Sequence, residues 1–448
     1  MQHYLVIGLG MTGLSMIEFL RKRSGVTVVA FDTRVDLDVH DLKGKFPDLT
    51  YYLGALPFEI LDDIDVVLMS PGLSLDTPIV LEARRQGIPI HGDIELFYHY
   101  AQAPIIGITG TNAKSTVTTL VGQMINATGF RALVGGNIGV PALALLDLPV
   151  PDYYVLELSS FQLELLENFS CLVGVVLNIS PDHLDRHGDI VNYQLAKERL
   201  YLNCQHPVYF RGIKYHSAPT QVSYTFDNDV PEEAHDFGVL EVNGQRYLAR
   251  GAQRLLPVAH LGSGLHGEHN VLNALSALAV TAPLQLDLVP QLEVLKHFKG
   301  LPHRCALVRT VDGVHWIDDS KGTNTGATIA AIKGMALHAQ GRIILVLGGV
   351  GKDQDFTLLR EAVTVHIAHA IIFGQDKAMI AQALHEVSYE FADDLDDVIA
   401  KAHAFSKADD VVLFSPACAS FDMFKNYSHR GDEFAARVMA LPSRHQDL

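Results

Sequence analysis

Cysteine, tryptophan and long hydrophobic runs are all scarce in this sequence of 448 residues. Its four cysteines are scattered and no pair has the spacing of metal ligands, so we expect free thiols in a reducing compartment. They are Cys171, Cys204, Cys305 and Cys418. No hydrophobic run reaches the ~20 residues that span a membrane, and no basic leader precedes the first apolar run. The sequence therefore predicts a cytoplasmic protein with no signal peptide and no membrane insertion.

The chain also has fewer positively than negatively charged residues. The chain has 34 lysines and arginines against 51 aspartates and glutamates, a net charge of −17 at pH 7. Because no basic run is present, the sequence argues against nucleic-acid binding. Any anionic ligand must therefore be bound by local groups, such as a helix N-terminus, a metal ion or a single lysine. Hydrophobic residues make up 48% of the chain, and at ~150 residues per domain this predicts about three globular domains.

The most informative stretch is residues 105–116, IIGITGTNAKST. A β-branched apolar run passes through glycines into Lys114-Ser115-Thr116, and a helical pattern follows. Strand, turn, lysine and helix together hold phosphate, because backbone N–H groups and the lysine face the anion and the hydroxyl can hold Mg²⁺. The strict P-loop pattern is not met, since Ile108 and Ala113 stand where glycine is usual. The alternative is a strand-to-helix turn with a chance Lys-Ser.

The first segment has the pattern of a dinucleotide-binding fold. Gly8, Gly10 and Gly13 form G-x-G-x-x-G between a predicted strand and a predicted helix. Asp32 ends the next strand at the spacing of about 20 residues that this fingerprint requires. An NAD-type site is one interpretation, and a nucleotide phosphate at the helix N-terminus is the weaker one. Ser70-Pro71-Gly72 follows a further strand, where doubly wound sheets place ligands, although a simple turn explains it equally well.

The middle segment carries candidate metal ligands. Glu157 ends a predicted strand beside the phosphate loop, and residues 182–187 after the next strand contain two aspartates and two histidines. Oxygen ligands suit Mg²⁺, and a neutral imidazole can add to a second site. The alternatives are a plain strand end at Glu157, an Asx-rich turn at Asp182 and a solvated helix lysine at Lys197. Residues 205–260 predict a β-rich layer, and residues 266–270 open an apolar helix.

The last segment predicts another doubly wound α/β domain. Asp312-Gly313 lies between two apolar runs, which is a strong hairpin signal. Three strands end in loops of small, polar or cationic residues, around residues 318–324, 348–353 and 415–420. Together these loops indicate a cleft that suits an anionic, amino-acid-like ligand.

In order along the chain, these motifs resemble the Mur ligase family of peptidoglycan synthesis. The matching stretches are GLGMTG, FDTR, MSPG, GITGTNAKST, GGNIG, LELSSFQLE, SPDHLDRH, GEHNVLNAL, GLPHR, DDSKGTNTGA, LGGVGKD and SPACASFDMFKN. The resemblance implies three α/β domains. These are a Rossmann-like UDP-substrate domain (1–93), a P-loop-type ATPase domain (94–298) and a Rossmann-like D-glutamate domain (299–448).

The resemblance also implies an activity. It is the ATP-dependent, ADP-forming addition of D-glutamate to UDP-N-acetylmuramoyl-L-alanine through an acyl phosphate, with two Mg²⁺ ions, in cell-wall biogenesis, cell shape and cell division. We expect a monomer with these small-molecule substrates as its partners. The rival hypotheses are an NAD-dependent oxidoreductase, a sister ligase that adds a different residue, and a non-catalytic nucleotide-binding relative.

The site residues implied by the resemblance fall into four groups. The UDP-substrate group is Met11, Thr12, Asp32, Thr33, Arg34, Ser70, Gly72 and Asn137. The ATP group is Gly110, Thr111, Asn112, Ala113, Lys114, Ser115, Thr116, Asn273, Arg304 and Asp319. The D-glutamate group is Lys321, Thr323, Lys352, Ser420, Phe421 and Tyr427. The metal group is Ser115, Glu157, His183 and a carbamylated Lys197, and the catalytic residues are Lys114, His183 and Lys197. Ala113, Phe421 and Tyr427 depart from the usual family residues.

Overall fold

Three β-sheets, formed one after another along the chain, organise the fold. The computed structural model describes residues 1–216, 224–265, 267–337, 339–384 and 387–443. Each sheet is mainly parallel and carries helices, so the predicted α/β class and three-part architecture are confirmed. Within these ranges, no helix is long and apolar enough to cross a bilayer.

Five short strands and the helices between them form the first sheet. The strands are β1 (Gln2–Ile7), β2 (Val26–Asp32), β3 (Thr50–Leu53), β4 (Val66–Met69) and β5 (Ile90–His91). The helices are α1 (Met11–Arg21), α2 (His40–Lys45), α3 (Pro78–Arg85) and α4 (Asp93–Tyr100). All strands are parallel in the order β3-β2-β1-β4-β5. This is the mononucleotide-binding half of a doubly wound sheet.

Helix α1 begins inside the glycine motif. The backbone of Gly10 is extended and caps the helix, so Met11, Thr12 and Gly13 already lie in its first turn. A Cβ atom on Gly13 would lie 1.7 Å from the carbonyl oxygen of Gly8. Gly13 therefore allows the close packing of helix against strand that this fingerprint requires.

The second sheet has nine strands. They are β6 (Ile105–Thr109), β7 (Ala132–Gly136), β8 (Tyr153–Glu157), β9 (Cys171–Val176), β10 (Cys204–Phe210), β11 (Tyr224–Phe226), β12 (Asp236–Val242), β13 (Gln245–Arg250) and β14 (Gln253–Pro257). The helices are α5 (Lys114–Ala127), α6 (Ala142–Leu145), α7 (Ser160–Glu164), α8 (Leu184–His187), α9 (Ile190–Glu198), α10 (Glu268–Thr281) and α11 (Leu288–His297). The order is β14-β13-β12-β11-β10-β9-β6-β8-β7. Among the described strands of this sheet, antiparallel pairing occurs only at β12-β13-β14.

This sheet confirms the β-rich layer predicted for residues 205–260 in the part that the structure describes, since residues 217–223 lie outside it. Gly135 and Gly136, the first residues of the GGNIG stretch, end β7. The apolar helix predicted from residue 266 begins at Glu268, and His266 itself lies outside the described residues. Strand β6 lies between β8 and β9, so the loops after these three strands emerge side by side.

The third sheet confirms the predicted hairpin. Its strands are β15 (Ala306–Val311), β16 (Val314–Asp318), β17 (Ile343–Gly348), β18 (Ile367–Phe373), β19 (Tyr389–Phe391) and β20 (Val411–Phe414). Its helices are α12 (Thr325–Ala336), α13 (Arg360–His366), α14 (Lys377–Ala383), α15 (Leu395–Phe405) and α16 (Tyr427–Ala440). β15 and β16 are antiparallel around Asp312-Gly313, and the order is β15-β16-β20-β17-β18-β19.

Helix α4 connects the first two sheets and packs on both. Phe97 meets Tyr154 of β8 edge-to-face, with ring centroids 5.0 Å apart. Ile94, Leu96 and Phe97 belong to one buried cluster with residues of both sheets. The predicted domain boundaries, one between residues 93 and 94 and one between residues 298 and 299, therefore stay predictions.

Replacing Gly13 with alanine tests the contact between α1 and the glycine turn. We expect Gly13→Ala to cost about 1–3 kcal/mol or more, because the added methyl group must displace backbone rather than a flexible side chain. Gly10→Ala is the matched control, because its Cβ would meet nothing within 4 Å. Its cost should stay below about 1 kcal/mol. Thermal unfolding of both variants measures the difference, and equal midpoints would contradict this packing.

Candidate functional site

The loop between β6 and α5 has the backbone path of a phosphate-binding turn. Gly110 has φ 151° and Ala113 has φ 65°, which is the left-handed region that glycine adopts most readily. Ala113 therefore keeps the conformation expected of the usual glycine, at a cost of about 1–2 kcal/mol. Asn178, just after β9, braces the loop, because it accepts from the N–H of Asn112 at 2.8 Å and donates to its carbonyl at 3.1 Å.

Lys114 opens helix α5 with its amine folded back over this loop. Its Nζ donates to the carbonyl oxygens of Gly110 and Thr111, both at 2.9 Å. Removal from bulk water lowers the pKa of Lys114, although the carboxylates of Glu157 and Asp182 oppose the shift. The amine thus lies at the helix N-terminus, where it can exchange these carbonyls for the oxygens of an anion.

Glu157, at the end of β8, is a buried carboxylate with one unused oxygen. Its Oε1 accepts from the side-chain amide of Asn137 at 2.8 Å, whereas its Oε2 has no hydrogen-bond partner. Burial would raise the pKa of Glu157, but the charges of Lys114 and Lys321 outweigh burial and lower it. An ionised, buried oxygen without a donor is costly unless a cation binds it, so the carboxylate fits a metal ligand.

Asp182 and His183 follow β9 at the same edge of the sheet. Asp182 accepts from Lys352 Nζ at 2.8 Å and from the side-chain amide of Asn324 at 3.2 Å. Both donors come from loops of the third sheet, so this carboxylate joins two sheets. Burial lowers the pKa of His183 to about 4, against the opposing charge of Asp182. The imidazole is therefore neutral at pH 7, the form that binds metals.

Lys197 is not the solvated helix lysine that its spacing allowed. Its side chain is 1% exposed, and Nζ donates to the carbonyl oxygen of Gly110 at 3.0 Å. Nζ also lies 4.5 Å from the centre of the Tyr193 ring. Burial, together with the charge of Lys114, lowers the pKa of Lys197 well below its ordinary value. Loss of the proton from this amine, which lies beside the phosphate loop, is therefore easier than from a solvated lysine.

Two cavities meet at this edge. The larger, of ≈ 450 Å³, is lined by predicted substrate, metal and D-glutamate residues: Met11, Thr12, Gly72, Lys114, Asn137, His183, Lys197, Lys321, Thr323, Lys352, Ser420, Phe421 and Tyr427. The smaller, of ≈ 220 Å³, is lined by predicted ATP and metal residues: Thr111, Asn112, Ala113, Lys114, Ser115, Thr116, Glu157, Asn273, Arg304 and Asp319. Lys114, Lys321 and Thr323 line both, so the two cavities share a wall.

Some predicted residues line neither cavity: Asp32, Thr33, Arg34, Ser70 and Gly110. The carboxylate of Asp32 is bound by the glycine turn after β1 and by Arg34. It accepts from the N–H of Leu9 at 2.7 Å and from the backbone and guanidinium of Arg34. Burial would raise the pKa of Asp32, but these donors outweigh burial and lower it to about 2. Since both carboxylate oxygens already accept hydrogen bonds from these groups, Asp32 does not offer the free acceptor that an NAD ribose requires.

Arg430 of α16 is a site residue that the sequence analysis missed. Its guanidinium is 1% exposed and donates to the carbonyl oxygens of Ser320 at 2.8 Å and Cys418 at 3.1 Å, and to Gly348 at 3.4 Å. It thus joins three loops that carry predicted D-glutamate residues. Burial lowers the pKa of Arg430 to about 10, so it stays charged. A lone arginine on an amphipathic helix carries no local sign of this role.

Among the described residues, no group of three or more histidine, cysteine, aspartate or glutamate side chains is arranged to hold a metal ion. Two groups in the candidate site nevertheless have the chemistry of metal ligands. They are the unused oxygen of Glu157 and the neutral imidazole of His183. Ser115 lies on the same cavity wall as Glu157, and its hydroxyl accepts from Arg304 at 2.8 Å.

Comparison with known proteins matches the regions of all three sheets to one family. Residues 2–92, 108–281 and 303–418 match family models described as the MurD-like N-terminal domain, the middle domain and the glutamate ligase domain of Mur ligases. The chain is 45% identical to the UDP-N-acetylmuramoylalanine–D-glutamate ligase of Legionella pneumophila strain Paris, over 98% of this chain and 99% of the relative. It is 44% identical to the ligase of the same name from Acinetobacter baylyi, over 98% of each.

Solved structures show the same fold at low identity. The UDP-N-acetylmuramate-alanine ligase MurC of Thermotoga maritima aligns with a TM-score of 0.63 and 19% identity, over 98% of this chain and 99% of that one. The MurF ligase of Thermotoga maritima, solved in complex with ADP, aligns with a TM-score of 0.60 and 16% identity, over 98% and 95%.

The low pKa of Asp32 predicts a pH-dependent contribution to stability. Because the folded pKa lies below the ordinary value near 3.8, the contribution is complete above about pH 4 and is lost as the pH falls towards 2. At pH 7, Asp32→Asn should therefore be less stable by about 1–2 kcal/mol. The difference in thermal unfolding midpoint between Asp32→Asn and the wild type should narrow below about pH 4. Asp36→Asn, at an exposed neighbour, is the control, and a difference that stays constant to pH 3 would refute this assignment.

Proposed function

The chain belongs to the Mur ligase family, and on that premise we propose that it adds D-glutamate to UDP-N-acetylmuramoyl-L-alanine, with conversion of ATP to ADP and phosphate. The observation that carries the proposal is the pair of cavities that share Lys114, Lys321 and Thr323. Relatives at 45% and 44% identity bear the name of this activity. The product is a peptidoglycan precursor, so we also propose a cytoplasmic, monomeric enzyme of cell-wall biogenesis that cell shape and division require.

The reaction must activate a carboxylate, which is a poor acyl donor. The alanine carboxylate of the UDP substrate attacks the γ-phosphorus of ATP, and ADP leaves from an acyl phosphate. The amine of D-glutamate then attacks the acyl carbon, and phosphate leaves. The first step brings two anions together, so charge compensation is its main need. Lys114, Arg304 and Lys321 supply positive charge where the two cavities meet.

The smaller cavity suits ATP. Its phosphate end is the loop of residues 110–116 and the N-terminus of α5. At the other end, Asn273 comes from α10 and Asp319 follows β16. Asp319 is held by the hydroxyl of Ser415 at 2.7 Å and the N–H of Cys305 at 3.2 Å. This arrangement supports roles for Asn273 at adenine and Asp319 at ribose.

The larger cavity suits the two reactants that join. Met11, Thr12 and Gly72 come from the first sheet, at the carboxyl ends of β1 and β4, where such sheets hold nucleotides. Lys352 and Ser420 come from the third sheet and line the same cavity. Lys352 donates to Asp182 at 2.8 Å, so it would bind a carboxylate of D-glutamate by sharing or exchanging that contact. The volume of ≈ 450 Å³ lies within the range of about 300–1,000 Å³ for small-molecule sites.

Two Mg²⁺ ions are part of this proposal. Ser115 and Glu157 would hold one, and His183 with a carbamylated Lys197 would hold the other. When bound, the ions neutralise charge on the transferred phosphoryl group. Lys114 and Lys321 hold Glu157 in its ionised form, and the low pKa of His183 keeps its imidazole neutral.

Carbamylation would give Lys197 the oxygen atoms that Mg²⁺ prefers. The deprotonated amine attacks CO₂, the N–C bond forms as one C=O electron pair moves to oxygen, and the nitrogen releases one proton to water. The product is an anionic carbamate. Its burial beside Lys114 supports the reaction, since that cation stabilises a new negative charge.

Substitution of Lys197 tests the carbamate. We expect Lys197→Ala to lose at least about 99% of ligase activity, the effect of removing one preorganised electrostatic group, and short carboxylic acids such as acetate to restore part of it. Lys407→Ala, at an exposed lysine, is the matched control. With ¹³C-bicarbonate, NMR should detect a carbamate signal in the wild type and in Lys407→Ala but not in Lys197→Ala. Unchanged activity in Lys197→Ala would disprove the assignment.

Phosphate release from ATP tests the overall function. We expect release only when UDP-N-acetylmuramoyl-L-alanine and D-glutamate are both present, and none with L-glutamate. Lys114→Ala should slow release at least about 100-fold, because it removes a charge that compensates the transferred phosphoryl group. Release with another amino acid in place of D-glutamate would identify a sister ligase. No release from a protein that still binds ATP would favour a non-catalytic relative.

A further inference from the structure

Two of the four cysteines are neighbours in the second sheet. Cys171 is the first residue of β9 and Cys204 is the first residue of β10. These strands are parallel, and the two cysteines are direct partners in the register. Their side chains therefore project from the same face of the sheet, although 32 residues separate them in the sequence.

A glycine leaves room for both sulfur atoms. A Cβ atom on Gly174, three residues along β9, would lie 3.0 Å from Sγ of Cys204 and 3.3 Å from Sγ of Cys171. Both sulfurs thus border the same small space, which no side chain of Gly174 fills. Cys171 is 2% exposed and Cys204 is half-buried, so an oxidant reaches Cys204 first.

Leu200 connects this pair to the candidate site. Its Cγ lies 3.2 Å from the same Cβ position on Gly174, and its Cδ1 lies 2.6 Å from the Cβ position on Gly107. The thiol of Cys171 also donates to the carbonyl oxygen of Leu200 at 3.7 Å. Leu200 follows Lys197 by one helical turn, and Gly107 lies on the strand that leads into the phosphate loop.

We propose that Cys171 and Cys204 are a reversible dithiol–disulfide site that hydrogen peroxide oxidises, and that the disulfide lowers ligase activity through Leu200 and Lys197. The thiolate of Cys204 attacks one peroxide oxygen, so an S–O bond forms, the O–O bond breaks and hydroxide leaves. The sulfur of Cys171 then attacks the sulfenic sulfur, the S–S bond forms, and the S–O oxygen leaves as water with the proton of Cys171. The two cysteines together lose two electrons, and peroxide is reduced to water.

The fold explains how the bond would act and why it would be reversible. In this proposal the disulfide forms over Gly174, the contact of Cys171 with the carbonyl of Leu200 is lost, and Leu200 shifts between Gly107 and Gly174. Cys204 is half-buried, so a reducing thiol can reach the bond from its side.

Peroxide treatment of the full chain, followed by non-reducing peptide mapping, tests the linkage. We expect one linked peptide pair that contains Cys171 and Cys204, lighter by two hydrogens than the separate peptides. Ligase activity should fall, by up to about 100-fold for a displacement of about 1 Å at Lys197, and dithiothreitol should restore it. Mapping needs no ligase assay, so its result stands even if the proposed activity is wrong.

Four serine variants separate this pair from the other thiols. Cys171→Ser and Cys204→Ser should each keep their untreated activity when peroxide is added. Cys305→Ser and Cys418→Ser, each compared with its own untreated activity, should remain as sensitive as the wild type. The absence of the linked pair would overturn the proposal. So would a linked pair with unchanged activity, or a loss of activity that persists in Cys204→Ser.

Discussion

A local surplus of positive charge is the condition on which the candidate site depends. The chain as a whole carries a net charge of −17, yet Lys114, Lys321 and Lys352 line one cavity around few carboxylates. Burial, together with the charges of Arg304, Lys114 and Lys352, lowers the pKa of Lys321 to about 7. Asp182 compensates Lys352, and a bound anion would compensate the remaining cations, as preorganised charge in an active site does.

The same charges hold the second and third sheets against each other. Lys352 reaches Asp182, Arg304 reaches Ser115, and in each pair the partners come from different sheets. Because parallel strands end at one edge of a sheet, the loops of the second and third sheets meet along that edge. The candidate site therefore lies where loops of three sheets meet, and the first two sheets also share one buried cluster.

Much of this could be predicted from local patterns. Apolar runs that end in small or polar residues located β1, β6, β8, β17 and β20, and Asp312-Gly313 located the hairpin, because strand periodicity and turn chemistry act over a few neighbouring residues. The conformation of Ala113 was not predicted, because alanine at this position breaks the strict pattern. The structure shows that its backbone has the positive φ that glycine adopts most readily. The roles assigned to individual residues rest on family resemblance and on proximity, and remain proposals.

The sequence by itself determined the fold class, the order of the motifs and the family, since each is encoded in short stretches whose meaning does not depend on distant residues. Only the tertiary structure decided that Lys197 is buried, that Arg430 supports three loops and that Cys171 lies beside Cys204. Burial and partnership depend on which elements pack together, and packing brings together residues far apart in the chain. Periodicity within one helix or strand says which face is apolar but not what covers it.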